Sequence, residues 1–255
     1  MSQSGQLAGK RVLVTGAGTT GIGRSIALEL ASRGADICVH GRTRAPAQLT
    51  TASLTGFGVR VFALAADIST MGAGRALVQE ANECMGGLDV VIANTGITQR
   101  KAVLDLTDED MQRVLGINLI AAMALTQEAA KAMVRSGGGS IVIVSSINED
   151  RVIPERAHYC ASKGGLRQWG RALAAAAGPS GVRVNLLCPS AIDTPMNQPY
   201  LAQHPERLEA VLNRTPLRRL REPADIACAA AFLAGDDSRF MTGASLSVDG
   251  GLSLG

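Results

Sequence analysis

The chain has 255 residues, 46% of them hydrophobic but only 3% aromatic, and a formal net charge of +3 at pH 7. So mild a charge excludes a nucleic-acid partner, and with no apolar run near the length of a membrane span and no apolar core in the opening MSQSGQLAGK, neither a membrane protein nor a secreted one is expected. Five cysteines, odd in number and without a CxxC pair, indicate neither a disulfide framework nor a zinc site, which leaves a reduced, cytoplasmic protein whose core is built from Val, Ile, Leu and Ala.

Residues 1–9 read as a short flexible lead. Residues 11–15, RVLVT, form a β-branched run that stops at glycine, as a buried strand does. The stretch 16–23, GAGTTGIG, then opens a helical pattern at Ile26, Leu28 and Leu30 that ends at Gly34. Strand, glycine-rich turn and helix in succession let a backbone approach a pyrophosphate, whose charge meets the helix N-terminus. The second strand, 36–40, ends in His40, Gly41 and Arg42. A site that selects NAD places an acid near this point to hold the ribose 2′-hydroxyl. Here the nearby acid, Asp36, is at the strand's opposite end, whereas Arg42, with Thr43 and Arg44 in reach, suits a 2′-phosphate. NADP is therefore the expected dinucleotide, and NAD the less favoured one.

A helix over about 46–54 precedes a third strand, 59–65, that runs on to Asp67. The Asp67 carboxylate either caps a helix following Ser69 or faces an adenine. Residues 88–93 form a fourth strand closed by Asn94, Thr95 and Gly96, and Thr107 to Asp110 resembles a capping box at the head of a helix over roughly 107–135. Within it Asn118 stands among Leu115, Ile117, Leu119 and Ile120, where it needs partners: a neighbouring backbone group, or a water beside a site. The fifth strand, 139–146, ends in two hydroxyls. Tyr159 and Lys163, four apart at the head of an Ala-rich run, lie on one helix face. A phenol titrates near 10, and a fixed ammonium beside it favours the phenolate and brings it towards working range. Residues 182–189 make a sixth strand, 194–220 read as a lid, and the basic run over 214–221 reads as a solvated helix end. Pro223 suits the first position of a last helix, and a short strand over 245–248 runs into Asp249, Gly250 and Gly251. Alternating strands and helices give an α/β fold on a parallel sheet, undivided by repeat or linker.

In order and spacing, the stretches 15–23, 94–96, 189–194 and 249–251, with Asp67, Asn118, Ser146, Tyr159 and Lys163, resemble the short-chain dehydrogenase/reductase family over almost the whole chain. The resemblance implies a Rossmann-type doubly wound parallel sheet of about seven strands, a single domain over 1–255, and a homotetramer. It also implies that a small-molecule carbonyl and its secondary alcohol are interconverted by hydride transfer with a nicotinamide. Tyr159 would exchange the proton with the substrate oxygen, and Ser146 would polarise the carbonyl. Lys163 would bind the nicotinamide ribose and lower the Tyr159 pKa, and Asn118 would support a water relay to it. Gly16, Gly18, Thr20, Gly21, Ile22 and Gly23 would hold the pyrophosphate; Asp67, Ile68, Asn94 and Gly96 the adenine side; Pro189, Ile192 and Thr194 the nicotinamide side.

Three departures from the family pattern stand out. The glycine loop is one residue longer, with Ala17 to Thr20 between Gly16 and Gly21; the fourth-strand turn reads Ala93, Asn94, Thr95, Gly96 where Asn-Asn-Ala-Gly is preferred; and Ser190 replaces a common Gly. None removes a catalytic group. Ser146 to Glu149, His158, Tyr159 and the stretch 189–195 look like bacterial glucose 1-dehydrogenases, in which setting Glu149 either binds sugar hydroxyls or is a solvated loop carboxylate. The 3-oxoacyl carrier-protein reductases share the same core motifs, and an acyl-carrier partner would require a basic landing patch, for which 214–221 is the candidate. A catalytically silent NADP-binding regulator would have lost the Tyr, Lys or Ser, and all three remain.

Overall fold

Seven strands run parallel in the order β3-β2-β1-β4-β5-β6-β7. They are β1 (Arg11–Val14), β2 (Asp36–Gly41), β3 (Val61–Ala65), β4 (Val90–Ala93), β5 (Gly139–Val144), β6 (Val182–Pro189) and β7 (Ser245–Val248). The helices are α1 (Ile22–Ser32), α2 (Arg44–Ala52), α3 (Ala73–Met85), α4 (Asp108–Leu115), α5 (Ala122–Ser136), α6 (Ala157–Ala177), α7 (Pro205–Arg214) and α8 (Pro223–Ala234). This computed structural model describes residues 6–18, 20–190, 203 and 205–254, so Ile192, Thr194 and much of the expected lid lie outside the described residues.

Strand side chains alternate between two faces, as a period of two requires. Leu13, Cys38, Val91 and Ile141 join a core with α3, α5 and α6, whereas Val12, Ile37, Val90 and Val142 join one with α1 and α8. Burial on both faces is why these strands read as continuous apolar runs. Each such side chain contributes about 1.5–3 kcal/mol by leaving water. The sheet reverses its winding between β1 and β4, and a crevice opens beyond the carboxyl ends of the strands at such a point. Among the described residues no helix is long and apolar enough to cross a membrane, and no group of three or more His, Cys, Asp or Glu is placed to hold a metal ion.

Four expectations are corrected by the packing. Leu7 is no part of a flexible lead: its side chain is buried and its N–H donates to the Arg33 carbonyl at 3.0 Å. The helix over 107–135 starts with the expected capping box at Thr107 but is interrupted by a wide π turn, Gly116–Ala121, that carries Asn118. Asp67 does not cap α3, which begins beyond Gly72; its Oδ1 instead accepts from the Ser69 N–H at 3.0 Å and the Ser69 hydroxyl at 2.6 Å, a local Asx turn. The basic run is only partly solvated. Arg218 and Arg219 are exposed, Arg219 pairing with Asp225 at 2.7 Å, but Arg221 is buried and donates to the Val248 and Ser190 carbonyls at 2.6 and 2.7 Å. Burial pushes its pKa down to about 9.

Candidate active site

The crevice is built first by Thr15 and Asn94, at the ends of the two strands where the winding reverses. The Thr15 hydroxyl accepts from the backbone N–H groups of Asn94 and Thr95 at 3.0 and 3.2 Å, and the Asn94 amide donates to the Thr15 and Gly16 carbonyls at 2.9 and 3.2 Å. Asn94 thus spends its side chain on fixing the start of the glycine loop. Gly16 has φ +65° and Gly21 φ +113°, conformations that favour glycine. A Cβ on Gly23 would lie 2.4 Å from the Gly16 carbonyl oxygen and 2.6 Å from Asn94 Nδ2, so the helix α1 comes this close to the loop only because residue 23 has none. Gly18 packs against the backbone of Gly41 and Ala47, and Thr20, beside the extra residue of the loop, is exposed. Backbone amides at the head of α1, with no acidic side chain in its first turn, suit a pyrophosphate.

Beyond β2, Arg42 is exposed, and across from it Asp67 is exposed beyond β3. The Ser69 hydrogen bonds hold the Asp67 carboxyl below its ordinary value, and the Arg42 charge adds to this. Asp36 at the far end of β2 is committed to Arg60 at 2.8 Å. Ile68 is a core residue, packed with Leu64 and Leu77. The Thr95 and Ser145 hydroxyls, at the ends of β4 and β5, are buried without a hydrogen-bond partner, open polar demands at the strand ends where a dinucleotide would lie. The glycine cradle and these orphaned hydroxyls fit a dinucleotide.

On the other side of the crevice, α6 brings Tyr159 and Lys163 against the end of β5. The Ser146 hydroxyl is a hydrogen-bond partner of Tyr159, accepts from the Asn148 N–H at 3.2 Å and donates to the Pro189 carbonyl at 3.4 Å. Lys163 is buried, with Nζ donating to the Val144 carbonyl at 2.9 Å and standing 5.6 Å from the centre of the Tyr159 ring. Burial pushes its pKa down to about 8, with the Glu149 charge working the other way. The expected lowering of Tyr159 is reversed. Burial raises the phenol above its ordinary value, and the Ser146 hydrogen bond and the charges of Arg156 and Arg221 offset only part of that. The charges that favour the phenolate are those of Arg156 and Arg221, while the Lys163 ammonium donates to the Val144 carbonyl and lies over the ring.

Asn118, fully buried in the π turn, finds the backbone partners that were one of its two expected roles. Its Oδ1 accepts from the Ile97 N–H at 2.8 Å and its Nδ2 donates to the Ile97 carbonyl at 2.9 Å and to the Ser162 hydroxyl at 3.3 Å. It ties the loop after β4 to α6, and a Cβ on Gly96 would touch its Oδ1 at 3.3 Å. Glu149 is not a solvated loop carboxylate, since its side chain is only 3% exposed and lies 3.7 Å from Arg167 Nε. Its charge bears on Lys163 and Cys188. Two residues escaped the sequence reading: Arg221, taken as solvated, and His40, taken only as a strand end. The one available signal for His40 was a polar ring at the close of an apolar strand.

A sheet whose winding reverses beside a glycine cradle, with a Ser–Tyr–Lys group facing it, defines a nicotinamide-dependent oxidoreductase. The family model described as Enoyl-(Acyl carrier protein) reductase matches residues 16–253. An L-rhamnose 1-dehydrogenase (NAD(P)(+)) of Sphingomonas sp. (strain SKA58) is 40% identical over 248 residues, 96% of this chain and 97% of that one. A glucose 1-dehydrogenase of Gluconobacter oxydans (strain 621H) is 36% identical over 251 residues, 98% of this chain and 94% of that one. The crystal structure of a gluconate 5-dehydrogenase from Burkholderia cenocepacia J2315 in complex with NADP and tartrate matches with a TM-score of 0.94 at 28% identity, covering 100% of both chains. The chain belongs to the short-chain dehydrogenase/reductase family and is an NAD(P)-dependent dehydrogenase acting on CH–OH groups.

Proposed function

We propose that this dehydrogenase uses NADP(H) and oxidises the anomeric hydroxyl of an aldose. The observation that carries the chemistry is Ser146 just beyond β5 acting on Tyr159, with Lys163 Nζ 5.6 Å from the centre of the Tyr159 ring. Tyr159 takes the proton from the substrate hydroxyl, and Ser146 orients that oxygen. The nicotinamide, when bound, supplies the hydride acceptor. Lys163 holds the nicotinamide ribose, and Asn118 fixes the loop carrying Ile97 against α6. Gly16, Gly18, Gly21, Ile22 and Gly23 hold the pyrophosphate; Arg42 holds the 2′-phosphate; Asp67, Asn94 and Gly96 line the adenine side; Pro189 lines the nicotinamide side.

Support for a sugar comes from the names of the relatives, which act on rhamnose and glucose at carbon 1. Glu149, buried against Arg167, is assigned to the charge of Lys163 rather than to a sugar hydroxyl. The competing reading, a 3-oxoacyl carrier-protein reductase, loses two of the four arginines of its landing patch, because Arg219 is paired with Asp225 and Arg221 is buried. A silent regulator is disfavoured by the intact Ser–Tyr–Lys group.

The test is turnover on L-rhamnose, D-glucose, gluconate, simple secondary alcohols and β-ketoacyl thioesters, each with NADP and NAD. Aldose oxidation with NADP is the expected result, and turnover confined to the thioesters sinks the sugar reading. Arg42→Ala is expected to raise KM for NADP about tenfold and to move that for NAD less than about twofold, the effect of one lost charge-assisted contact. Equal effects on both nucleotides remove Arg42 from the 2′-phosphate. A homotetramer is likewise proposed, supported by exposed Ile120 and Val134 along the π turn and α5. Light scattering on the eluting protein checks it, and a monomeric mass overturns it.

A further inference from the structure

His40, one residue before the end of β2, has its side chain buried and both ring nitrogens committed. Nδ1 accepts from the Gly16 N–H at 3.3 Å, and Nε2 meets the Ala66 carbonyl at 2.9 Å. The His40 carbonyl accepts in turn from the Ala17 N–H at 2.9 Å. A backbone N–H can only donate and a carbonyl can only accept, so a single form satisfies both contacts: the neutral ring with its proton on Nε2. The imidazole thereby joins the carboxyl ends of three strands, β1 through Gly16, β2 through itself and β3 through Ala66. Gly16 is the first residue of the glycine loop, and its carbonyl is the surface on which Gly23 packs. Displacing Gly16 therefore displaces the head of α1 as well.

We propose that His40 is a positioning residue for the dinucleotide: as a neutral imidazole it holds the Gly16 amide, and with it the glycine loop, in place for the pyrophosphate, and its protonation releases the loop. The proposal rests on reading that loop as the nucleotide site. A ring proton on Nδ1 would face the Gly16 N–H, two donors with nothing between them. Burial lowers the pKa of His40 and the Ala66 carbonyl works against it, so the neutral form prevails at neutral pH. The ionisable groups nearest its contacts in the chain are Arg42, just beyond β2, and Asp67, next to Ala66 beyond β3, while Glu80 and Cys84 of α3 bear on Cys38 two residues earlier; the His40 shift itself comes from burial and the Ala66 carbonyl.

The experiment titrates NADPH by its fluorescence into the wild type, His40→Gln and His40→Leu between about pH 5 and pH 8. Glutamine offers an oxygen to Gly16 and an N–H to Ala66 and does not titrate; leucine offers neither. Wild-type affinity is expected to fall on acidification about tenfold further than that of His40→Gln, and His40→Leu is expected to bind about tenfold more weakly already at neutral pH, with KM for the nucleotide moving more than kcat. Titration of the nucleotide's own phosphate is common to all three proteins and cancels in the comparison. Parallel pH curves for wild type and His40→Gln, or wild-type affinity in His40→Leu, overturn the proposal. Nitrogen NMR of the wild-type ring is a second measure that needs no variant: an Nε2–H tautomer is expected, and an Nδ1–H tautomer or a charged ring at neutral pH overturns it too. If no form of the protein binds a dinucleotide, while the ring shows the expected tautomer, the assignment of the loop has failed rather than the hydrogen bonding of His40.

Discussion

Tyr159→Phe is expected to lower kcat by about 10³–10⁴ while the dissociation constant for NADPH stays within about twofold, a loss in the range of a general acid–base group. The substitution removes one oxygen and keeps the ring that stands beneath Lys163. Ser146 loses a partner but keeps the Asn148 N–H and the Pro189 carbonyl, so the fold loses no more than about 1 kcal/mol. Since burial raises the phenol above its ordinary value, the phenolate that accepts a proton from an alcohol is scarce at neutral pH. Oxidation by the wild type should therefore quicken as pH rises, and the residual rate of the Phe variant should lack that rise. Steady-state rates against pH, with nucleotide titrations alongside, check both points. Near-wild-type turnover in the variant removes Tyr159 from the proton transfer, and lost binding together with a lower Tm reduces it to a structural role.

The strands were legible because their two apolar faces leave a continuous signature. Val12 to Val14 or Val90 to Ile92 needs no knowledge of what lies opposite. The helix pairing Tyr159 with Lys163, the capping box at Thr107 and Pro223 at the head of α8 are equally local, each fixed by residues within one turn. What escaped is set by distant partners. Arg221 is drawn inside by carbonyls 27 and 31 positions away, and His40 by groups 24 and 26 positions away. No window of sequence shows such a pairing, so both residues read as the ordinary polar ends of their segments. The π turn is hidden for a related reason: Asn118 bonds Ile97, 21 residues earlier, and the apolar pattern on either side continues as if the helix were regular. The phenol was misjudged because spacing places an ammonium beside it but shows nothing of how deeply the ring is buried.

Lys163→Met is expected to make the protein more stable at pH 7 while lowering kcat/KM by about 10²–10³, the scale of a lost group at the reacting centre. The buried ammonium titrates at about 8, against 10.5 for an ordinary lysine. The unfolded chain therefore binds the proton more tightly, and between these two values stability rises with pH; below about 8 the whole penalty is present, about 3 kcal/mol. Methionine keeps the apolar stem and removes the charge, at a cost of about 1–2 kcal/mol for the Val144 carbonyl left without its donor. A net gain of about 1–2 kcal/mol at pH 7 follows, or a Tm higher by roughly 2–8 °C for a chain of this size. As pH climbs towards that of free lysine the gain should disappear, because the wild type sheds its charge in both states and only the missing hydrogen bond remains. Urea unfolding at pH 7 and near pH 10 separates the two contributions. A variant less stable at pH 7, or a difference that does not change with pH, would show that burial costs Lys163 little. A stabler but inactive variant would show a destabilising charge retained in the core for the reaction, as expected of a site that trades stability for activity.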